Sequence, residues 1–176
     1  MVTIILIGKK VLFFLSSPKS SFTLIITNFW CRYSISVQLV CDNNKNFISA
    51  HAGLPGSCHD SYVFKRMRIS QQPQNYFDDN QYLLADSAYA SGKYVVPAFK
   101  NISTCDDQHT KFNYYLAQSR VRIEHAIGIL KGQWASLREM RNQLQSANDM
   151  KTLINWILCC VILHNLLADL KNEWDE

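Results

Sequence analysis

Apolar and polar residues alternate over residues 34–41, with four apolar residues at the odd positions from Ile35 to Cys41. A period of two is typical of a strand that buries one face and exposes the other. The polar residues 42–45 have the composition of a turn, and residues 46–52 are predicted to return as a second strand. The pattern therefore predicts an antiparallel hairpin.

Helical signals predict three helices after the hairpin. The first begins at Ser57, which caps it, while Asp60 three residues later reaches back as in a capping box. The second covers about residues 113–131, and the third begins at Ser146 with Asp149 as its capping partner. A wide apolar stripe on the third helix predicts that it packs on the core.

A short apolar strand is predicted at residues 81–85, between the polar loop 70–80 and a mixed region at 90–110. The order of elements is then strand, strand, helix, strand, mixed region, helix, helix. A hairpin followed by a strand among helices is typical of a mixed α/β (α+β) fold. A chain of 176 residues is long enough for one domain with a buried core.

The N-terminal segment differs from the rest of the chain in composition. Residues 1–32 contain three apolar runs, and residues 1–41 contain no Asp or Glu. None of these runs reaches the roughly 18 residues that a membrane span needs, so no membrane contact is predicted. We interpret residues 1–32 as an atypical segment not native to the domain, residues 33–170 as the domain, and residues 171–176 as a polar tail.

The net charge and the cysteines indicate the class of ligand and the cellular compartment of the protein. A formal net charge of +4 suits contact with a polyanion, and the basic residues gathered between Lys111 and Arg141 are stronger evidence for it than the total. The six cysteines form no C-x-x-C pair, which favours reduced thiols in a nuclear or cytoplasmic protein. Adjacent Cys159 and Cys160 lie in an apolar run and are predicted to be buried.

Two acidic residues stand in surroundings that suggest chemistry. Asp86 ends the apolar run at 81–85, and Glu124 lies in a basic helical stretch. A carboxylate at a strand end and another on a later helix can share a divalent cation, for which hard oxygen ligands favour Mg²⁺ or Mn²⁺. Taken singly, each acid has an ordinary explanation: Asp86 as a turn residue, and Glu124 as the partner of Arg120 in a surface ion pair.

Four sequence blocks, in this order and with regular gaps, carry a family resemblance. They are residues 53–61 (GLPGSCHDS), 84–89 (LADSAY), 112–113 (FN) with 120–131 (RVRIEHAIGILK), and 160–165 (CVILHN). Together they resemble the nuclease domain of PIF/Harbinger-type transposases and their domesticated nuclease relatives. The resemblance covers about residues 33–167.

The resemblance implies an RNase H-like fold with a DDE set of three catalytic acids. It assigns Asp86 as the second acid and Glu124 as the third, both as catalytic residues and metal ligands. The first acid is expected on a strand just before residues 34–41, but residues 22–32 contain none. The fold is therefore predicted to be incomplete at its first strand.

The implied function is metal-dependent cleavage and strand transfer of DNA with Mg²⁺ or Mn²⁺. The family also implies a Myb-like protein partner that supplies DNA binding, and a nuclear location with the cytoplasm as a second one. The missing first acid leaves an alternative open. In that alternative, the chain is a catalytically inactive, domesticated or decaying remnant that binds DNA or a protein.

Residues near the two acids complete the predicted site. Arg120, Arg122 and Lys131 are predicted to contact DNA phosphates, which would make binding salt-dependent and insensitive to sequence. Asp60 and His125 are candidates for supporting the metal site without binding the metal. For Asp60 the capping role is the simpler explanation, and for His125 a surface position is equally compatible.

Two further positions on the C-terminal side are predicted to be structural. The pair His164 and Asn165 could take part in chemistry, but a buried histidine hydrogen-bonded to a loop or helix end is the favoured interpretation. Trp134 is predicted to anchor the core rather than to stack on a base.

Overall fold

The computed structural model describes residues 4–7, 11–15, 33–78, 81–100, 107–138 and 146–170. The strands are β1 (Ile4–Ile7), β2 (Val11–Leu15), β3 (Tyr33–Cys41), β4 (Phe47–Pro55), β5 (Tyr82–Ala85) and β6 (Val95–Pro97). The helices are α1 (Asp60–Arg66), α2 (Arg68–Gln71), α3 (Asp107–Gln133) and α4 (Ala147–Asp169), with short 3₁₀ turns at Pro73–Asn75 and Ala135–Leu137. The mixed α/β class is confirmed.

The predicted hairpin is confirmed as β3 and β4, which pair antiparallel. The turn between them is held by Asp42, whose Oδ1 accepts hydrogen bonds from the backbone N–H groups of Asn44 at 2.8 Å and Asn46 at 2.9 Å. Lys45 takes the left-handed conformation with φ 68°. Such a side-chain-to-backbone turn closes a tight connection without a glycine.

Strands β1 and β2 together fill one position of the sheet. Both pair antiparallel with β3, β1 near its C-terminal end and β2 along its N-terminal half. They share one edge of β3, because β4 occupies the other. On its far side β1 pairs parallel with β5, and β5 pairs parallel with β6. One of the two neighbours of β5 thus comes from Ile4–Ile7, whereas residues 22–32, where the acid-bearing first strand was expected, lie outside the described residues.

The strand predicted at residues 81–85 is confirmed as β5, which lies between β1 and β6. The prediction that β3 buries only one face is wrong. Ser36 and Gln38 on its polar face are as inaccessible as its apolar residues, both with 0% exposure. The reason is tertiary: helices cover both faces of the sheet, so a central strand has no solvated side.

Two apolar cores result from this arrangement. The core on the α3 and α4 face includes Ile35, Val37, Leu39, Leu84, Leu116, Ile123, Leu130, Leu153 and Ile157. The core on the α1 and α2 face includes Val40, Phe64, Met67, Ile69, Leu83, Ala85 and Tyr89. Burial of this apolar surface is the main favourable term holding the helices to the sheet.

The prediction that Ser57 caps the first helix is wrong. Helix α1 begins at Asp60, its N-cap is His59, and no side chain caps it. The chain is still turning before that point, since the N–H of Cys58 donates to the carbonyl of Pro55 at 3.1 Å. Asp60 instead occupies the first turn of the helix, where a negative charge interacts favourably with the helix dipole.

Helix α4 begins as predicted. Ser146 and Asp149 form a reciprocal capping box, with the Ser146 N–H donating to Asp149 Oδ2 at 2.9 Å and the Asp149 N–H to Ser146 Oγ at 3.2 Å. Among the described helices, α4 is long and apolar enough to cross a membrane by length and composition. Its residues Leu153 and Ile157 lie in the core against the sheet, as in the core helix of a folded domain.

The predicted structural role of His164 and Asn165 is confirmed. His164 is 2% exposed, and its ring contacts Gln133 Oε1 through Nδ1 at 2.9 Å and the Lys45 carbonyl through Nε2 at 3.1 Å. Asn165 pairs with both backbone groups of Phe47, at 2.8 and 2.7 Å. These contacts fasten α4 to α3 and to the hairpin. Trp134 packs against the core, also as predicted.

The cysteine prediction is confirmed in part. Within the described ranges Cys41, Cys58, Cys159 and Cys160 form no disulfide bond with one another, and Cys160 is buried, but Cys159 is exposed. Burial raises the pKa of Cys41 to about 12. A thiol with so high a pKa stays protonated and unreactive at neutral pH, which argues for a packing role.

Candidate acidic site at the end of strand β5

Asp86 directly follows β5 and begins a tight turn. Its Oδ1 accepts the backbone N–H of Ala88 at 2.8 Å, and its carbonyl accepts the N–H of Tyr89 at 3.3 Å. This is the turn role that an Asp at a strand end commonly takes. The hydrogen bond to Ala88 uses one carboxylate oxygen and leaves Oδ2 available to another partner.

That partner is Arg120 of α3. Its Nη2 lies 3.9 Å from Asp86 Oδ2, and the two side chains are only 12% and 21% exposed. The separation is an ion-pair distance rather than a hydrogen bond, for which about 2.7–2.9 Å is usual between charged groups. Arg120 comes 34 positions after Asp86 in the sequence, so this contact brings α3 against the end of β5.

Asn113 anchors the N-terminal part of the same helix. Its side chain accepts the N–H of Phe99 at 2.9 Å and donates to the Phe99 carbonyl at 3.0 Å. Phe99 follows β6 by two residues, so this double hydrogen bond joins α3 to the end of the strand next to β5. The FN block contains Asn113, but the contact that Asn113 makes is not evident from the sequence.

Glu124 lies on α3 one turn after Arg120 and is exposed. At 100° per residue, positions four apart differ by about 40° around a helix, so Glu124 and Arg120 share a flank of α3. The helix that carries the predicted third acid therefore passes beside the turn that carries the predicted second acid. A shared metal site for Asp86 and Glu124 stays a prediction.

Tyr89 relates Asp60, a residue predicted to support the metal site, to the region around Asp86. Its side chain is buried and its hydroxyl accepts a hydrogen bond from Gln38 Nε2 on β3. Burial raises the pKa of Tyr89, the negative charges of Asp60 and Asp86 raise it further, and Arg120 opposes them. Asp60 is therefore within electrostatic reach of the same hydroxyl as Asp86, and its supporting role stays a prediction.

The polar face of β3 is the part of the site that the sequence did not reveal. Gln38 contacts Tyr89, yet its Oε1 and the hydroxyl of Ser36 are buried without hydrogen-bond partners in the described part of the chain. Such groups cost free energy in an apolar interior. The only sequence signal was the polar side chains of Ser34, Ser36 and Gln38 on one face of a strand that proved to be central.

The predicted phosphate-binding residues do not form one surface. Arg122 is exposed and donates to Asn43 Oδ1 at 2.9 Å. It lies two residues, or about 200°, from Glu124 around the helix. Lys131, seven residues after Glu124, returns to the flank of Glu124. His125 is exposed, and Gly128 has open space around it, since a Cβ added there would meet no neighbouring atom within 4 Å.

The residues that the structure describes do not fit a two-metal centre. In the described part of the chain no three His, Cys, Asp or Glu residues come together in a way that could hold a metal ion. Strand β1, one of the two neighbours of β5, reads IILI and has no acid, and Oδ2 of Asp86 faces a guanidinium. Two metals held about 3.5–4 Å apart need bridging carboxylates, and the described residues bring no such group of carboxylates together.

Comparison with known proteins identifies the family to which the chain belongs. The model of a family described as "DDE superfamily endonuclease" matches residues 21–165, which is most of the chain and includes both acids. The chain is also 23% identical over 154 residues to "Protein ALP1-like" of Arabidopsis thaliana. This alignment covers 80% of the chain but only 37% of that protein. No solved structure matches.

Proposed function

Because the chain belongs to the DDE superfamily endonuclease family, we propose that it is the nuclease-derived domain of a Harbinger-like transposase. Asp86 and Glu124 are then the second and third acids of the family's site. The four sequence blocks support the Harbinger-like origin. A hairpin beside three parallel strands, with helices on both faces, is what we expect of an RNase H-like sheet.

One observation carries this proposal. The contact between Arg120 and Asp86 holds α3 against the end of β5, and Glu124 follows one turn later on the same flank. A DDE site requires this meeting of a strand end and a later helix. The two acids are 38 positions apart in sequence, so only the fold can bring them together.

We further propose that the chain as it stands binds DNA and does not cleave it. A complete acid set with Mg²⁺ or Mn²⁺ supplies phosphodiester cleavage and strand transfer. This chain offers two of the three acids, and one of them is paired with Arg120. The specific observation that favours an inactive domain over an active nuclease is this pairing, together with the absence of Asp and Glu from residues 1–41.

The charge distribution supports DNA as the ligand. The formal net charge is +4, and Lys131 lies on the flank of α3 that also carries Glu124. Lysine side chains contact DNA through its phosphates, and such contacts carry no information about the base sequence. We propose that sequence preference comes from a Myb-like partner and that the protein acts in the nucleus, with the cytoplasm as a second location.

Duplex DNA binding is the first test. We expect fluorescence anisotropy to show an affinity that falls as salt rises, because bound cations are released from the phosphates. Replacing Lys131 by Ala should reduce the slope of log affinity against log salt by about one. Lys111→Ala is the matched control, since it removes the same charge from the same helix but at an exposed pair with Asp107 (2.5 Å). Affinity independent of salt contradicts the proposal.

Nicking of supercoiled DNA is the second test. Wild-type protein with Mg²⁺ or Mn²⁺ should nick a plasmid no faster than Asp86→Asn, because both lack a complete metal centre. Nicking by the wild type that Asp86→Asn and Glu124→Gln both abolish would instead establish an active nuclease. That result would replace the inactive assignment while leaving the family assignment intact.

A further inference from the structure

Arg120 is the most unusual charged residue in the described structure. Its side chain is 12% exposed, and its Nε and Nη2 are buried without hydrogen-bond partners among the described residues. A guanidinium stays protonated at any pH a protein experiences. It cannot relieve its burial by losing a proton, so it needs a counter-ion.

Asp86 is that counter-ion. Its Oδ2 lies 3.9 Å from Arg120 Nη2 and its Oδ1 is held by the Ala88 N–H. Both oxygens therefore have positive or donor groups opposite them. The chain itself orients this carboxylate and places a positive charge beside it.

A cation at Asp86 would compete with this arrangement. A metal bound to a carboxylate oxygen lies about 2.0–2.6 Å from it, which places it within a few ångströms of the guanidinium. The repulsion between a divalent ion and a guanidinium at such a distance is large in a half-buried site. Either the metal binds weakly, or the Arg120 side chain must move away from the position beside Asp86 where α3 places it.

We propose that Arg120 is the resident counter-cation of Asp86 and occupies the place beside this carboxylate that a divalent metal would need. Arg120 is then a positioning residue that stabilises the metal-free domain and suppresses metal binding. It faces Asp86 rather than the DNA phosphates. The inference rests on the proposed assignment of Asp86 to the family's site, but its tests contain no DNA.

The first experiment measures Mn²⁺ binding to the full chain by titration calorimetry and by water-proton relaxation. We expect the wild type to bind only in the millimolar range and Arg120→Gln to bind at least about tenfold more tightly, because the repelling charge is gone. Arg120→Lys, which keeps the charge, should resemble the wild type. Adding Asp86→Asn to Arg120→Gln should abolish the gain. Equal Mn²⁺ affinity in Arg120→Gln and the wild type would overturn the proposal.

The second experiment does not depend on the stability of an Arg120 variant. Asp86→Asn leaves the buried guanidinium without its counter-ion, so the thermal midpoint without metal should fall by about 5 °C or more. Glu124→Gln removes one negative charge from an exposed position of the same region and should shift the midpoint by less than about 2 °C. Equal shifts in the two variants would show that Asp86 does not stabilise Arg120. Loss of DNA binding with these results intact would reject the proposed function alone.

Discussion

Replacing His164 by Ala is expected to lower the free energy of unfolding by about 2–4 kcal/mol, through a cavity and two lost hydrogen bonds. The ring is 2% exposed, packs on Phe47 with ring centroids 4.8 Å apart, and contacts Gln133 and the Lys45 carbonyl. Its removal leaves polar groups of α3 and of the hairpin turn without these partners. Urea unfolding followed by circular dichroism measures the change.

His125→Ala is the matched control, because His125 is exposed on α3 and surface substitutions usually change stability by less than about 0.5 kcal/mol. A His164→Ala protein as stable as His125→Ala would show that the contacts joining α4 to the hairpin do not hold the fold together.

The same histidine makes stability depend on pH. Burial lowers the pKa of His164, opposed by the Lys45 carbonyl, and burial with the charge of Arg66 lowers the pKa of His51. With a folded pKa below the unfolded value of about 6.5, the unfolded state binds protons first as the pH falls. Stability should therefore be full above pH about 6.5 and decline below it.

Unfolding free energies at pH 7.5 and 5.5 test this sign, since carboxylates remain largely ionised over that interval. The wild type should be less stable at pH 5.5. His164→Gln should show a smaller difference between the two pH values, and His51→Gln should remove a separate part of it. An unchanged pH dependence in His164→Gln would rule out this source.

Replacing Gly53 by Ala is expected to cost about 2–4 kcal/mol of stability. Gly53 has φ +112°, which L-residues rarely adopt, and an added Cβ would lie 2.7 Å from Ile154 Cδ1. The register between β3 and β4 shifts here, since Ser36 pairs with Leu54 while Val37 pairs with Ala52. Gly53 is thus the extra residue of a bulge against which α4 packs.

Chemical denaturation of Gly53→Ala and Gly128→Ala compares a position where alanine would be strained with one where it would not be. Gly128 lies inside α3 with open space around it, so alanine there should stabilise the protein by about 0.5–1 kcal/mol through helix propensity. Adding Ile154→Ala to Gly53→Ala should recover no more than the steric part of the loss. A stable Gly53→Ala protein would mean that the bulge is not required.

The candidate site could be predicted from the sequence only as far as local chemistry reaches. Asp86 and Glu124 were recognisable because each stands in a conspicuous motif. The partner of Asp86 was not, since Arg120 was expected to face DNA phosphates and its i+4 spacing to Glu124 suggested a surface pair. Spacing on one helix cannot show which of several charges turns inward, because that depends on what the helix packs against.

The hairpin, the strand at 82–85, the capping box at Ser146 and the mixed α/β class were determined by the sequence itself, because each depends on periodicity or on contacts between residues close in the chain. Tertiary structure decided the rest. It buried Ser36 and Gln38 by covering both faces of the sheet, placed residues 4–7 beside β5, and set Arg120 against Asp86. Those outcomes depend on which surfaces meet across the fold. At such a contact, the cost of desolvating polar groups is set against the attraction between opposite charges, and no local sequence pattern encodes that balance.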